Sequence, residues 1–260
     1  MLLLIVAFLG FIVSFISGIL GIGGGIIMAP LLLYVPPLLG MGNFDMKTVS
    51  GLTITQGVFA GLSGVIPHSK HKAVNKELII FMGTSILIGS LIGGVASKWI
   101  SDTVLLLIFA VLAIIAAITI LLPLEKKQEE ELPDKLNFNK TLAIIIAFII
   151  GLLGGMVGQG GSFILIPLMI YILKIPPRLA MGSNLGIVFL SSISGFIGKV
   201  ITNQIPWLLA LALLLGTIPG AWIGALFSNK IQLPLLRYAL AAIIIIASLR
   251  ITYNLILSFY

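Results

Sequence analysis

Two short glycine-rich runs, Gly21-Ile-Gly-Gly-Gly25 and Gly158-Gln-Gly-Gly-Ser162, are the places where this chain's residue types and spacing can do chemistry. Glycine lets the backbone turn sharply and approach a ligand with no Cβ in the way. A helix starting just after such a run points N–H groups without intrahelical partners, and the positive end of its dipole, at whatever lies ahead. That arrangement suits an oxyanion and requires no basic side chain. The candidate binding positions are Gly23, Gly24 and Gly25 in the first run and Gln159, Gly160, Gly161 and Ser162 in the second, where Gln159 and Ser162 add side-chain hydrogen bonds. The next apolar segment of each half brings further polar groups, Thr53 and Gln56 in one and Ser183 and Asn184 in the other. Interhelical hydrogen bonding is the competing account of these four.

Other chemistry is poorly supplied. The sequence has no cysteine, so disulfides, thiolates and Cys-ligated metals are excluded. Ionisable residues are almost missing from the apolar segments, which argues against a divalent-cation transporter and makes proton coupling harder to build, and no metal or cofactor is expected. Asp45, Glu77 and Asp102 lie near segment ends, where helix capping or solvation accounts for them. His68 and His71 flank Lys70 and Lys72 in a polar loop and read as surface residues. No HExxH, GxSxG or Walker sequence occurs, so neither an enzyme nor an ATP-driven subunit is expected.

The elements that must position these residues are membrane helices. Of 260 residues, 59% are hydrophobic and 9% charged, a balance that would leave large apolar patches on a water-soluble domain. Spans need about 20 apolar residues to cross a hydrocarbon core of about 30 Å. The pattern predicts segments at 2–22, 25–36, 48–67, 77–97, 103–123, 141–159, 162–174, 179–200, 206–228 and 234–257. The segments at 25–36 and 162–174 are short half-helices, and non-helical backbone beside them must be buried in protein or line a wet cavity. The first segment lacks a basic n-region and a small-residue cleavage site, so it is expected to stay in the mature protein. The net charge of +7 sits mostly in short loops, which points to membrane topology rather than nucleic acid.

The charged stretch at 124–140 separates two membrane units, 1–123 and 141–260, and expects a cytoplasmic location. The units repeat. Gly18, Gly21, Gly23, Gly24, Pro30 and Tyr34 match Gly155, Gly158, Gly160, Gly161, Pro167 and Tyr171 at a spacing of 137. After a small insertion, Gly51, Ser63-Gly64, Gly89, Gly93 and Ser97 match Gly182, Ser194-Gly195, Gly220, Gly224 and Ser228 at a spacing of 131. Gly89-x-x-x-Gly93 and Gly220-x-x-x-Gly224 read as close helix packing. The expected fold is all-α and integral to the membrane, as two inverted repeats of about five hydrophobic segments each. With the N-terminus outside, cytoplasmic loops then hold Lys70, Lys72, Lys76, Lys126, Lys127, Lys135, Lys140, Lys174, Arg178 and Lys230. The outer loops keep mainly Lys47, Lys98 and Lys199. Eight spans in two parallel repeats are the alternative, if each glycine run only kinks one span.

The run Gly21-Ile-Gly-Gly-Gly-Ile-Ile-Met-Ala-Pro30, repeated as Gly158-Gln-Gly-Gly-Ser-Phe-Ile-Leu-Ile-Pro167, resembles the sulfite exporter TauE/SafE family of prokaryotic membrane proteins. The duplicated layout, the charged linker and Pro219-Gly-Ala-Trp-Ile-Gly224 extend the resemblance over the whole chain. It implies a multi-pass protein of the cytoplasmic membrane that moves small sulfur-containing or organic anions such as sulfite or a sulfonate. Where the family often has a Gly-Thr-Ser type sequence, this chain has Gly51-Leu-Thr53 and Gly182-Ser-Asn184, which bears on substrate choice. The expected partners are a small anionic substrate and the lipid bilayer. A membrane scaffold packing through its glycine faces is the alternative function.

Overall fold

The computed structural model describes residues 1–20, 24–68, 75–121, 136, 138–159, 161–227, 242, 244–246 and 248–251. Gly21 to Gly23, Gly160, the loop with His71 and nearly all of the central linker lie outside the described residues. The described residues are helical almost throughout: α1 (Leu2–Leu20), α2 (Gly25–Leu38), α3 (Met46–His68), α4 (Lys76–Ala96), α5 (Asp102–Leu121), α6 (Lys140–Val157), α7 (Ser162–Pro167), α8 (Pro177–Ile201) and α9 (Trp207–Phe227). A π-turn, Leu168–Ile172, prolongs α7 just after Pro167, which has no N–H to donate to the preceding turn. Nine of the expected segments thus occur, with ends shifted by a few residues. The tenth lies mostly outside the described residues. The short second helix runs through Pro36 and Pro37 to Leu38, two residues past the expected end at 36.

Helix starts follow local chemistry. Asn75 and Asn139 accept from the N–H groups of Leu78 at 3.1 Å and Leu142 at 3.0 Å, capping α4 and α6. Asp45 accepts from Thr48 N–H at 3.0 Å, and Asp102, in the first turn of α5, accepts from Met46 N–H, so two carboxylates serve the start of α3. Both fit the capping role expected of them.

Six helices, α1, α4, α5, α6, α8 and α9, are long and apolar enough to cross a membrane. Their outward stripes are apolar and exposed: Leu107, Val111 and Ile118 on α5, and Leu208, Leu211 and Leu215 on α9. The opposite face of α9 is small and buried, with Ala210, Gly216, Gly220, Ala221 and Gly224. α3 carries Ser50, Thr53, Thr55 and Gln56, yet these four side chains are at most 1% exposed. Polar groups at this depth avoid lipid because other helices surround them. Trp99 and Trp207, at segment ends, are 72% and 53% exposed, as interfacial anchors should be.

Helix directions follow from which residues touch. α1 and α9 run parallel, with Gly216, Gly220 and Gly224 laid against the carbonyls of Ala7, Phe11 and Phe15. α4 and α6 also run parallel, with Gly89 and Gly93 against the carbonyls of Phe148 and Leu152. A Cβ at any of these glycines would collide with backbone, so they serve close packing as expected. α8 runs parallel to α4, as Ile79 meets Gly186 and Leu91 meets Gly198. α3 lies antiparallel to α8, with Ile54 at Gly195, Gly57 at Ser192 and Gly61 at Phe189. Since α6 and α8 point the same way, α7 and its π-turn must return the chain between them. α2 does the same between α1 and α3, because Gly51 of α3 packs on the Gln204 carbonyl beside the start of α9.

The packing also recurs at the repeat spacings. Gly18 abuts the Ala221 carbonyl, and Gly155, 137 positions on, abuts the Ser90 carbonyl, 131 positions before Ala221. Where Gly216 meets the Ala7 carbonyl, the matching residue Ser85 donates its hydroxyl to the matching Ile144 carbonyl at 2.7 Å.

Candidate functional site

The two glycine breaks touch. A Cβ on Gly25 would lie 3.2 Å from Gln159 Cα and 3.3 Å from the Gly158 carbonyl oxygen. Gly24 caps α2, its carbonyl accepting from Ile27 and Met28 at 3.1 and 3.0 Å. A Cβ on Gly24 would lie 3.0 Å from Gln56 Nε2 and 3.0 Å from Val13 Cγ1. A methyl group at Gly24 or Gly25 would make its neighbours give by a few tenths of an ångström, and a large side chain would have to displace Gln56 and Val13 or the second break.

The second break is fixed by backbone geometry. Gly158 closes α6 in the left-handed region at φ 77°, and Gly161 opens α7 at φ 75°. Only glycine adopts this region without cost. The Gly158 and Gln159 N–H groups both return to the Gly154 carbonyl. Gly158 is also pressed on the Ser50 carbonyl and Thr53 Oγ1, so a side chain there is excluded twice over.

Around the contact lies a group of buried polar side chains. Thr53 donates to the Ser50 carbonyl at 3.2 Å, and Gln56 Nε2 donates to Ser14 Oγ at 2.9 Å. Gln56 Oε1 and Gln159 Nε2 are buried with no hydrogen-bond partner among the described residues. One unmet acceptor and one unmet donor thus belong to residues that pack on Gly24 and Gly25. Leaving such groups unpaired costs about 1–3 kcal/mol each, and native proteins keep few of them without a reason.

Gly24, Gly25, Thr53, Gln56 and Gln159 are brought to one region, while Gly161, at the start of α7, packs against Ile150 of α6. Ser183 and Asn184 are not brought there. From the antiparallel register of α3 and α8, Thr53 lies level with Phe196, and the 12 residues back to Asn184 amount to about 18 Å along the helix. Ser183 Oγ instead accepts from Asn75 N–H at 3.0 Å, at the start of α4, and Asn184 Oδ1 is buried without a partner among the described residues. Thr53 and Asn184 are equivalent at the repeat spacing of 131, which by sequence alone suggests that both face one centre. An antiparallel helix pair sends equivalent positions to opposite ends instead. Gly23 and Gly160 lie outside the described residues, as does the side chain of Ser162, whose backbone opens α7.

Two participants escape a sequence reading. Ser14 reaches the site only because α1 packs beside α3. Lys199, counted among outer-loop cations, is instead completely buried in the last turn of α8. Its register was legible in hindsight: Lys199 follows Gly195 by four residues and Ser192 by seven, on the helix face turned to α3. Among the described residues, no group of three or more His, Asp or Glu side chains could hold a metal ion.

Comparisons with known proteins agree with this architecture. The chain is 28% identical over 275 residues to the "Probable membrane transporter protein YunE" of Bacillus subtilis (strain 168), covering 98% of each chain. It is 28% identical to the "Probable membrane transporter protein YdhB" of the same organism, over 88% of this chain and 92% of that one. The "Probable membrane transporter protein MJ0441" of Methanocaldococcus jannaschii is 26% identical over 94% of this chain and 93% of that protein. No solved structure matches. Residues 6–251 match the family described as Sulfite exporter TauE/SafE. The match spans both glycine breaks and the helices packed around them, and so this multi-pass protein of the cell membrane belongs to the sulfite exporter TauE/SafE family.

Proposed function

We propose that the protein is a secondary transporter that exports a small sulfur-containing or organic oxyanion, such as sulfite or a sulfonate, by alternating access. The observation that carries this reading is the contact of the two glycine breaks, with a buried donor on Gln159 and a buried acceptor on Gln56 left unmet beside it. A buried donor and a buried acceptor on residues lining one contact suit an oxyanion bearing a proton or a hydroxyl group. The N–H groups of Gly25 and Ile26, ahead of the first intrahelical bond from Ile27, supply further donors with no positive side chain, at a helix start that favours negative charge.

In this reading the halves are inverted repeats that rock about the α3–α8 pair. Three features support the inversion. Equivalent helices α3 and α8 are antiparallel, the chain reverses at each break, and α1 packs on α9 as α6 packs on α4. The alternative of eight spans in parallel repeats needs equivalent helices to point the same way. The scaffold alternative accounts for the packing glycines but gives no use to unmet buried amides.

Reconstituted protein should take up labelled sulfite or isethionate, with excess unlabelled anion suppressing the signal. If a panel of such anions neither crosses the bilayer nor shifts thermal stability, the transporter reading is wrong. Gly24→Leu separates the alternatives: transport should stop, whereas a scaffold would keep a stable partner in mild-detergent pull-downs.

A further inference from the structure

Lys199 is fully buried, and its ammonium is surrounded by oxygen atoms from four segments. Four acceptors surround the three N–H groups of Nζ, Ser97 Oγ at 2.7 Å, Ser50 Oγ at 2.8 Å, the Met156 carbonyl at 3.1 Å and Gln204 Oε1 at 3.2 Å, so two of them share one proton. Ser50 and Ser97 belong to the first half of the chain, Met156 and Gln204 to the second. The shell is oriented for a cation: Ser50 gives its own proton to the Lys47 carbonyl, and Ser97 has the Gly94 carbonyl at 2.7 Å and Gln204 Oε1 at 2.9 Å to take its proton, so both turn lone pairs to Nζ. Gln204 is fixed likewise, its Nε2 donating to the Gly94 carbonyl and Thr202 Oγ1.

Among the described residues the charge has no counter-ion. Among the described residues the one ion pair is Lys140 with Glu77, both half exposed at the other end of α4, and no carboxylate lies within pairing distance of Lys199. Burying an unpaired charge is expensive, and a packed apolar residue would be the cheaper structural solution. An ionisable residue kept inside a membrane domain marks a pathway. Here the place is specific. Ser50, which holds the ammonium, also presents its carbonyl to Thr53 and Gly158, so Lys199 stands one residue away from the second break. Gln204 is part exposed, so the same cluster reaches the surface. Lys199 therefore sits between that surface and the buried amides.

Resting on the oxyanion reading above, we propose that Lys199 is the charge-selective gate of the pathway. Held on four neutral oxygens, it ties the two halves together and closes one end. An entering anion replaces those oxygens as its partner, which frees the ends of α3, α4 and α6 to separate and admits anions in preference to neutral or cationic solutes.

The absence of cysteine permits a direct test, because Thr53→Cys puts a single thiol behind the gate. In lipid nanodiscs the T53C protein should react slowly with a charged maleimide, faster when isethionate is added, and no faster with choline. Adding Lys199→Met should raise the anion-free rate at least about tenfold, as expected when the closed state loses its tie, and remove the response to isethionate. Labelling of T53C/K199M at the T53C rate would overturn the gate, as would transport of isethionate without any effect on T53C labelling. Should K199M fail to purify as a monodisperse protein, Ser97→Ala with Gln204→Leu weakens the same shell and must also speed labelling; an unchanged rate there overturns the proposal equally. Uptake of labelled isethionate by the unmodified protein tests the oxyanion reading by itself. Uptake with K199M still closed removes the gate alone, and an open K199M without uptake removes the oxyanion alone.

Discussion

Gly158 and Gly40 show how much the surroundings of one residue matter. Both have positive φ, at 77° and 69°, but a Cβ on Gly40 would meet nothing, whereas one on Gly158 would strike the Ser50 carbonyl and Thr53. Gly40→Ala should therefore cost only the conformational term, about 1–2 kcal/mol. Gly158→Ala adds overpacking worth about 1–3 kcal/mol more. Thermal unfolding in detergent should show a clearly larger drop for Gly158→Ala. The buried amides predict the opposite balance of stability and activity. Gln159→Met removes an unpaired donor, so stability should hold or rise, while oxyanion uptake should fall at least about tenfold if that donor binds the substrate. A parallel loss of stability and uptake would instead assign Gln159 to packing. Glycine's role at these positions was legible from spacing, because a duplicated glycine run in an apolar chain has few other uses. The unmet state of Gln56 and Gln159 was not, since it depends on what three other segments place beside them.

At the scale of elements, the small-residue faces decide which helices pair. Gly93 and Gly224 occupy equivalent positions and press on equivalent carbonyls, those of Leu152 and Phe15. Gly93→Leu and Gly224→Leu should therefore cause comparable, severe losses of monodisperse protein on size-exclusion chromatography. Leu215→Ala, at a side chain 77% exposed on the lipid face of α9, should change little by the same measure. A large asymmetry between the two glycine variants would show that the halves do not share one packing scheme. Hydropathy located the helices well because a span must be long and apolar wherever it sits. It says less about α3, whose polar residues lower its hydropathy yet lie at the centre, shielded from lipid by its neighbours. Hydropathy likewise leaves Lys199 at a segment end, whereas the parallel approach of α4, α6 and α8 encloses it.

For the molecule as a whole, helix directions assign chain ends to two faces. Lys140 and Glu77 meet at 3.7 Å on one, and Lys47 Nζ binds the Lys98 carbonyl at 2.8 Å on the other. The Lys140–Glu77 pair is exposed and contributes at most about 1 kcal/mol, so its value is as a marker of sidedness. Lys140→Cys and Lys98→Cys, each a unique thiol in this chain, should react with an impermeant maleimide from opposite sides of intact cells. Because the basic loops cluster with Lys140, that face should be the cytoplasmic one. Labelling of both from one side would refute the arrangement of α4 described above.

The sequence by itself determined that the protein lives in a membrane, that it is helical, that it contains a duplicated unit, and that two glycine runs interrupt its helices. Each of these follows from composition or periodicity, which local physics reads without knowing what lies across the fold. Only the tertiary structure decided that the breaks touch through Gly25 and Gln159, that Thr53 and Asn184 stand about 18 Å apart rather than at one centre, and that Lys199 is buried. The reason is the same in all three cases: repeat spacing records which residues are equivalent, but the direction in which α3 passes α8 decides which of them meet.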